Sequence, residues 1–200
     1  MASFEKFYPV LSELEGGFQN LTSDPGNKNS LGVFVGTKYG ISARFYEQVT
    51  SEIPTMQTMK KITKEEAKQL YLDYFWNENS ASQIKSQAVA NTVIDMQVNS
   101  GNGIRIAQEV LNDEFSKDLA VDGISGPNTI AAINSVDPAK FVEQYNFARV
   151  EYYMNVGNGE WISIWIRRVK KFALTSSPSF KYITLLLIIG AGVLIYKNLG

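Results

Sequence analysis

The sequence predicts a mainly α-helical domain that ends in a C-terminal transmembrane helix. Three observations carry this reading. Apolar residues recur at helical spacing through most of residues 2–156, with capping signals where the segments begin. The only strand-like run among them is Val33-Phe34-Val35. Residues 182–196 carry no charge at all.

Phe4, Phe7, Tyr8, Leu11 and Leu14 share one helical face, and Gly16-Gly17 ends that helix. Residues 18–40, rich in Gly, Asn, Asp and Ser, read as a long ordered loop or small hairpin, and 41–49 as a short helix. Thr63 and Glu66 form a capping box for a helix through Phe75. A further helix covers 83–98 and stops at Asn99-Ser100-Gly101, after which Asn102 caps one reaching Leu111. Gly126-Pro127 opens a helix through Ile133. Asp137-Pro138, a cap followed by a proline in the first helical position, opens a long one to about Val156.

With 200 residues the chain is one domain, or one domain with an appendage. It has no Cys and no His. Disulfides, thiolate or imidazole metal sites and Ser-His-Asp triads are therefore excluded, and acid–base chemistry falls to Asp, Glu, Tyr or Lys. No metal and no cofactor are expected. Residues 1–160 hold 13 Lys and Arg against 20 Asp and Glu, whereas 161–200 hold six basic residues and no acidic one. The acidic part argues against nucleic acid as a partner. The basic part flanks the apolar run, about 22 Å long as a helix, with Tyr182 and Tyr196 at its ends and Lys181 and Lys197 outside them. This gives a linker at 175–181 and a membrane anchor at 182–199, the alternative being a buried C-terminal helix. The first residues lack the apolar core of a secretory signal, and the basic residues ahead of the span place the domain on the cytoplasmic side. The expected location is a single-pass anchor in a bacterial inner membrane or a lipid-containing virion, with lipid as a partner.

Glu15 ends an apolar helix face and precedes two glycines, which let backbone and ligand approach closely. Such a carboxyl suits a general acid, although an exposed glutamate beside an ordinary helix end has the same local sequence. Asp24 follows nine residues later in the loop. It is either the second carboxylate of a glycosidase or the first residue of an Asp-Pro-Gly turn. Asn91, Asp95 and Asn99 form an i, i+4, i+8 stripe, facing either a polar core network or a substrate cleft.

Several motifs, in order, resemble the glycoside hydrolase family 108 muramidases with their predicted peptidoglycan-binding C-terminal half. They are Glu-Gly-Gly-Phe at 15–18, Asp-Pro-Gly at 24–26 and Thr-Lys-Tyr-Gly-Ile-Ser at 37–42. Leu-Tyr-Leu-Asp-Tyr-Phe-Trp at 70–76, Asp-Met-Gln-Val-Asn-Ser-Gly at 95–101, Val-Asp-Gly-Ile-Ser-Gly-Pro-Asn-Thr at 121–129 and Trp-Ile-Arg-Arg-Val at 165–169 continue the series. The resemblance implies a lysozyme-like, two-lobed helical domain over 1–174, with the binding half at 98–156. It implies an N-acetylmuramidase acting on the β-1,4 bond between N-acetylmuramic acid and N-acetylglucosamine in peptidoglycan glycan strands. The lack of a secretory signal and the cytoplasmic orientation point to a phage lysis or entry setting. The resemblance assigns Glu15 as the acid, and by similarity to the phage lysozymes it adds Asp24 and Thr37 as the catalytic partners. Tyr39, Asn91, Asp95 and Asn99 are the expected substrate-binding residues.

Residues 27–36 lengthen the interval between Asp24 and Thr37 beyond the family's usual spacing. A catalytically inactive scaffold or glycan-binding protein is therefore the alternative. A third reading takes the amphipathic stretch 161–172 as membrane-disrupting, against its being the last helix of the domain.

Overall fold

A computed structural model describes residues 1–156, 159–172 and 181 of the chain. It divides into two compact units, one formed by 8–74 and the other by 1–7 together with the chain from 75 onward. The chain passes from one to the other within helix α1 (Phe4–Leu14) and again within a π-helical turn, Leu72–Asn77.

In the unit of residues 8–74, the loop after α1 makes a 3-10 turn at Pro25–Asn27. It then enters a two-stranded antiparallel hairpin, β1 (Thr37–Lys38) and β2 (Ile41–Ser42), with Thr37 opposite Ser42 and Lys38 opposite Ile41. That register leaves Tyr39-Gly40 as a two-residue turn, and both have positive φ, 49° and 75°. Primed turns of this kind match the right-handed twist of paired strands. Three short helices follow: α2 (Ala43–Thr50), α3 (Met56–Lys61) and α4 (Lys64–Tyr71). Each begins at a hydroxyl cap. Ser42 accepts the Phe45 N–H, while Thr55/Thr58 and Thr63/Glu66 form reciprocal capping boxes. Helix α3 was not anticipated, because six residues are too few to display a period. Leu11, Val35, Ile41, Met59, Ile62, Ala67 and Tyr71 are buried in this unit.

The second unit begins with an aromatic cluster in which Phe4 and Phe7 pack on Trp76 at centroid distances of 5.8 and 5.4 Å. Its centre is α5 (Gln87–Ser100), which ends at Gly101 in the left-handed conformation. It is packed by α6 (Gly103–Phe115), α8 (Pro138–Val156) and α9 (Gly159–Phe172), while α7 (Pro127–Asn134) packs on α6. Buried residues run almost all round the middle of α5, from Val89 to Met96, as expected of a helix enclosed by others. Gly103 permits the close approach of α6, since a Cβ there would lie 2.6 Å from the Gln97 nitrogen. The 83–98 helix starts four residues later than the periodicity implied, after a 3-10 turn at Ala81–Gln83.

Two expectations are corrected. Among the described residues no helix is long and apolar enough to cross a membrane. The linker 175–181 (apart from 181) and the anchor 182–199 lie outside those residues, so the membrane location and the lipid partner are withdrawn. The stretch 161–172 puts one face into the second unit, as the last-helix reading expected and the membrane-disrupting reading did not. Ile166, Val169 and Phe172 are buried in the second unit, and Trp165 stacks on Tyr153 at 5.1 Å.

Candidate active site

Glu15 follows the last residue of α1, and its backbone N–H still bonds to the Leu11 carbonyl at 3.2 Å. The loop beyond is fastened to the hairpin. The Tyr39 N–H donates to Gly16 O at 3.2 Å, and Gln19 and Thr37 exchange backbone bonds of 2.9 and 2.8 Å. The helix end that carries Glu15 is thereby laid against the Tyr39-Gly40 turn. A β-carbon on residue 40 would stand 2.7 Å from Glu15 Cδ and would collide with the Tyr71 hydroxyl. Glycine is therefore required at 40 twice, for its φ and for the room taken by the carboxyl group.

Glu15 lines a cavity of about 450 Å³ together with Tyr8, Ser12, Tyr39, Lys64, Lys68 and Tyr71. The Tyr8 and Tyr71 rings lie 6.2 Å apart. Lys64 sits over the Tyr39 ring and Lys68 over the Tyr8 ring, at 6.0 and 5.7 Å. Burial pushes the Tyr8 phenol above its ordinary pKa, and the Glu65 carboxylate adds to the effect. Tyr8 therefore remains a neutral hydroxyl through the physiological range. Aromatic faces beside hydroxyls and a carboxyl suit a sugar, which presents both C–H faces and hydroxyl edges.

Asp24 and Thr37 form a second cluster in the same unit. Asp24 opens the Pro25–Asn27 turn, its Oδ1 accepting the Gly26 N–H at 2.9 Å. Its Oδ2 accepts the Gln19 amide at 3.1 Å. Gln19 and the fully buried Asn27 pair through their amides at 2.9 and 3.2 Å, and the Thr37 hydroxyl donates to Asn27 Oδ1 at 2.6 Å. Asp24 is thus both the turn-former and a member of the cluster. Neither it nor Thr37 lines the Glu15 cavity. Sequence reasoning missed Gln19 and Asn27 here, and Tyr8, Lys64, Lys68 and Tyr71 around Glu15. The i, i+4, i+7 spacing of Lys64, Lys68 and Tyr71 was a usable signal that one helix face reaches a common point.

The long interval at 27–36 folds onto its own unit. Lys28 and Phe34 form an isolated bridge, Asn29 donates to Pro54 O at 3.0 Å, and Ser30 N–H donates to Glu47 at 2.9 Å. None of these ten residues lines the Glu15 cavity.

The stripe on α5 lies elsewhere. Asp95 is completely buried, with Oδ2 on Arg149 at 2.6 Å and Oδ1 on Arg168 at 2.8 Å. Burial is the largest single influence on Arg149 and opposes its charge, but Asp95 together with Tyr153 and Tyr145 outweighs it and keeps the guanidinium above its usual pKa. Asn99 donates to the Tyr153 hydroxyl at 2.8 Å, and Asn91 accepts from Gln87 at 2.7 Å. The substrate-binding expectation is corrected for Asp95, because both its oxygens are spent on buried cations and no solvent reaches it. Asn99 ties α5 to α8, and Asn91 pairs within its own helix.

The Val-Asp-Gly-Ile-Ser-Gly-Pro-Asn-Thr motif is also a folding device. Buried Gln108 donates to Asp122 Oδ1, Ile124 O and Thr129 Oγ1 at 2.8, 3.1 and 3.1 Å, and accepts the Gly123 N–H at 2.8 Å.

The Glycosyl hydrolase 108 family matches residues 8–101, and the Predicted Peptidoglycan domain matches residues 102–170. The solved structure of Brucella abortus SagA superposes with a TM-score of 0.72 at 22% identity, covering 84% of this chain and 90% of that one. At that identity the likeness is one of fold. No curated protein matches the chain. In sequence order, a segment similar to the glycosyl hydrolase 108 family, which contains Glu15, Asp24 and Thr37, is followed by one similar to the predicted peptidoglycan domain, on a mainly helical, lysozyme-like fold.

Proposed function

We propose that the chain is an N-acetylmuramidase that cleaves the β-1,4 bond between N-acetylmuramic acid and N-acetylglucosamine in peptidoglycan, with Glu15 as general acid. The observation that carries this is the placement of the Glu15 carboxyl against the Gly40 backbone, inside a tyrosine-lined cavity within the hydrolase-matched segment. The matched peptidoglycan segment supports the choice of polymer. Glu15 gives its proton to the leaving glycosidic oxygen as the bond breaks. Asp24, fixed by Gly26 and Gln19, and Thr37, whose hydroxyl is oriented by Asn27, are assigned to the attacking water. A Thr37 hydroxyl that donates to Asn27 keeps its lone pairs for accepting from that water. Water delivered to the face opposite the leaving group gives inversion.

The scaffold alternative was motivated by the long interval at 27–36 and by the cytoplasmic placement read from the charges. The interval stays out of the Glu15 cavity, but its Asn27 bonds the Thr37 hydroxyl and so borders the assigned water site.

The test is mass spectrometry of fragments released from purified sacculi by the full chain, wild type beside Glu15→Gln. Fragments with reducing-end muramic acid from the wild type alone are expected. Anhydro-muramic ends would replace hydrolysis by lytic transglycosylation, and no release from a folded wild type would sink the enzyme reading.

A further inference from the structure

The buried phenol beneath the Glu15 cavity has a geometry that a packing role alone does not require. Tyr71 is 2% exposed and sits at the end of α4. Its O–H donates to the Tyr39 carbonyl at 3.1 Å. Tyr39 is one of four non-glycine residues with positive φ among the described residues, a strained conformation that persists only where neighbours hold it. Here the Tyr71 hydroxyl and the Tyr39 N–H bond to Gly16 O anchor it, beside the strand pairing of the hairpin. The Tyr71 oxygen and one Glu15 carboxyl oxygen also both crowd the space that a single β-carbon on Gly40 would fill.

A phenol has one proton. With it donated to the Tyr39 carbonyl, the Tyr71 oxygen keeps lone pairs that can accept. A carboxyl meets an acceptor favourably when it carries a proton to donate. Resting on the reading of Glu15 as the acid, we propose that Tyr71 is a positioning residue. It locks the strained Tyr39-Gly40 turn and holds the proton-bearing oxygen of Glu15 in one orientation toward the cavity. The proton passed to the leaving group still comes from Glu15, and Tyr71 neither gains nor loses one. Tyr8 from α1 and Lys64, Glu65 and Lys68 from α4 complete the charged and titratable surroundings of the cavity.

The experiment is steady-state hydrolysis of purified sacculi by the full chain as wild type, Glu15→Gln, Tyr71→Phe and Tyr74→Phe. Tyr74 is the control: a phenol in the same unit that donates to a backbone carbonyl, Val49 O at 3.3 Å, outside the cavity. Tyr71→Phe keeps the ring and its packing. A fall in kcat of about 10- to 100-fold with KM within about twofold is expected, since misorientation acts on the chemical step. Tyr74→Phe is expected to keep wild-type kcat. Wild-type kcat in Tyr71→Phe, or an equal loss in both Phe variants, overturns the inference and leaves the muramidase reading standing. An inactive wild type, or an active Glu15→Gln, overturns both. If Tyr71→Phe does not fold, Gly40→Ala takes its place, because its β-carbon pushes Glu15 and Tyr71 from their shared space. Wild-type kcat in that variant would equally overturn the inference.

Discussion

Two carboxylates, Asp95 within a helix of one unit and Glu15 just past a helix end in the other, were both candidates for binding or acting on a substrate. They ended in opposite environments. Asp95 is enclosed by α5, α8 and α9, and both oxygens are spent on guanidiniums. Glu15 stands where a helix has run out, on the wall of a cavity, beside a residue with no side chain. A charge enclosed with matched partners is a structural element, because a lone buried charge costs several kcal/mol. A carboxyl with a cavity in front of it can meet a ligand. The difference is one of surroundings, since both are carboxylates carried by a helix or its end.

This contrast can be broken by mutation. Glu15→Gln is expected to lower the rate of peptidoglycan hydrolysis by about 10²–10⁴-fold. It should leave the thermal unfolding midpoint within a degree or two of wild type, which calorimetry would check. Asp95→Ala is expected to do the reverse. Two arginines lose their counter-ion in a dry interior, and stability falls by about 3–5 kcal/mol in denaturant unfolding. The rate per folded molecule should be unchanged. Replacing Asp95, Arg149 and Arg168 together by apolar residues of similar volume sharpens the point, because an apolar triad recovers most of that loss. A triple variant as unstable as Asp95→Ala would show that the ions have a role beyond neutralising one another.

Smaller effects are expected from polar keystones. Gln108→Leu leaves the Gly123 N–H, the Ile124 carbonyl and the Asp122 carboxylate short of a partner. A loss of about 1–3 kcal/mol is expected, with faster hydrogen exchange confined to residues near 116–126. Thr63→Ala removes one side of the α4 capping box and should cost about 1 kcal/mol. The capping bonds from Thr63 hold the Glu66 carboxyl below its ordinary pKa. Their contribution is therefore complete above the ordinary glutamate range and fades as pH falls through the lowered value. Equal pH dependence of unfolding in wild type and Glu66→Gln, which cannot ionise, would contradict this assignment.

Local signals were the legible ones. Asp137-Pro138, Gly126-Pro127, Thr63 with Glu66 and Gly101 act within one helical turn, so each marks a helix end where the structure has one. The hairpin was half legible. Residues 33–35 carried the β-like composition, yet the paired strands are Thr37–Lys38 and Ile41–Ser42, because the Tyr39-Gly40 turn and the Gln19–Thr37 bridge set the register. Of the candidate site, Glu15 was identified by its place between an apolar helix face and two glycines. Its neighbours Tyr8 and Tyr71 look in the sequence like ordinary core aromatics.

The sequence by itself therefore determined the helical class, most helix starts, the absence of thiol and imidazole chemistry, and Glu15 and Asp24 as the carboxyls worth testing. Only the tertiary structure decided that Asp95 is a core ion, since its partners lie 54 and 73 residues away in the chain. Only it decided that Gly40 and Tyr71 converge on Glu15, through contacts between a helix end, a hairpin turn and a later helix. Periodicity and caps depend on neighbours a few residues away and are written into any short window. Burial and close approach depend on which distant segments pack together, and no window of sequence contains that.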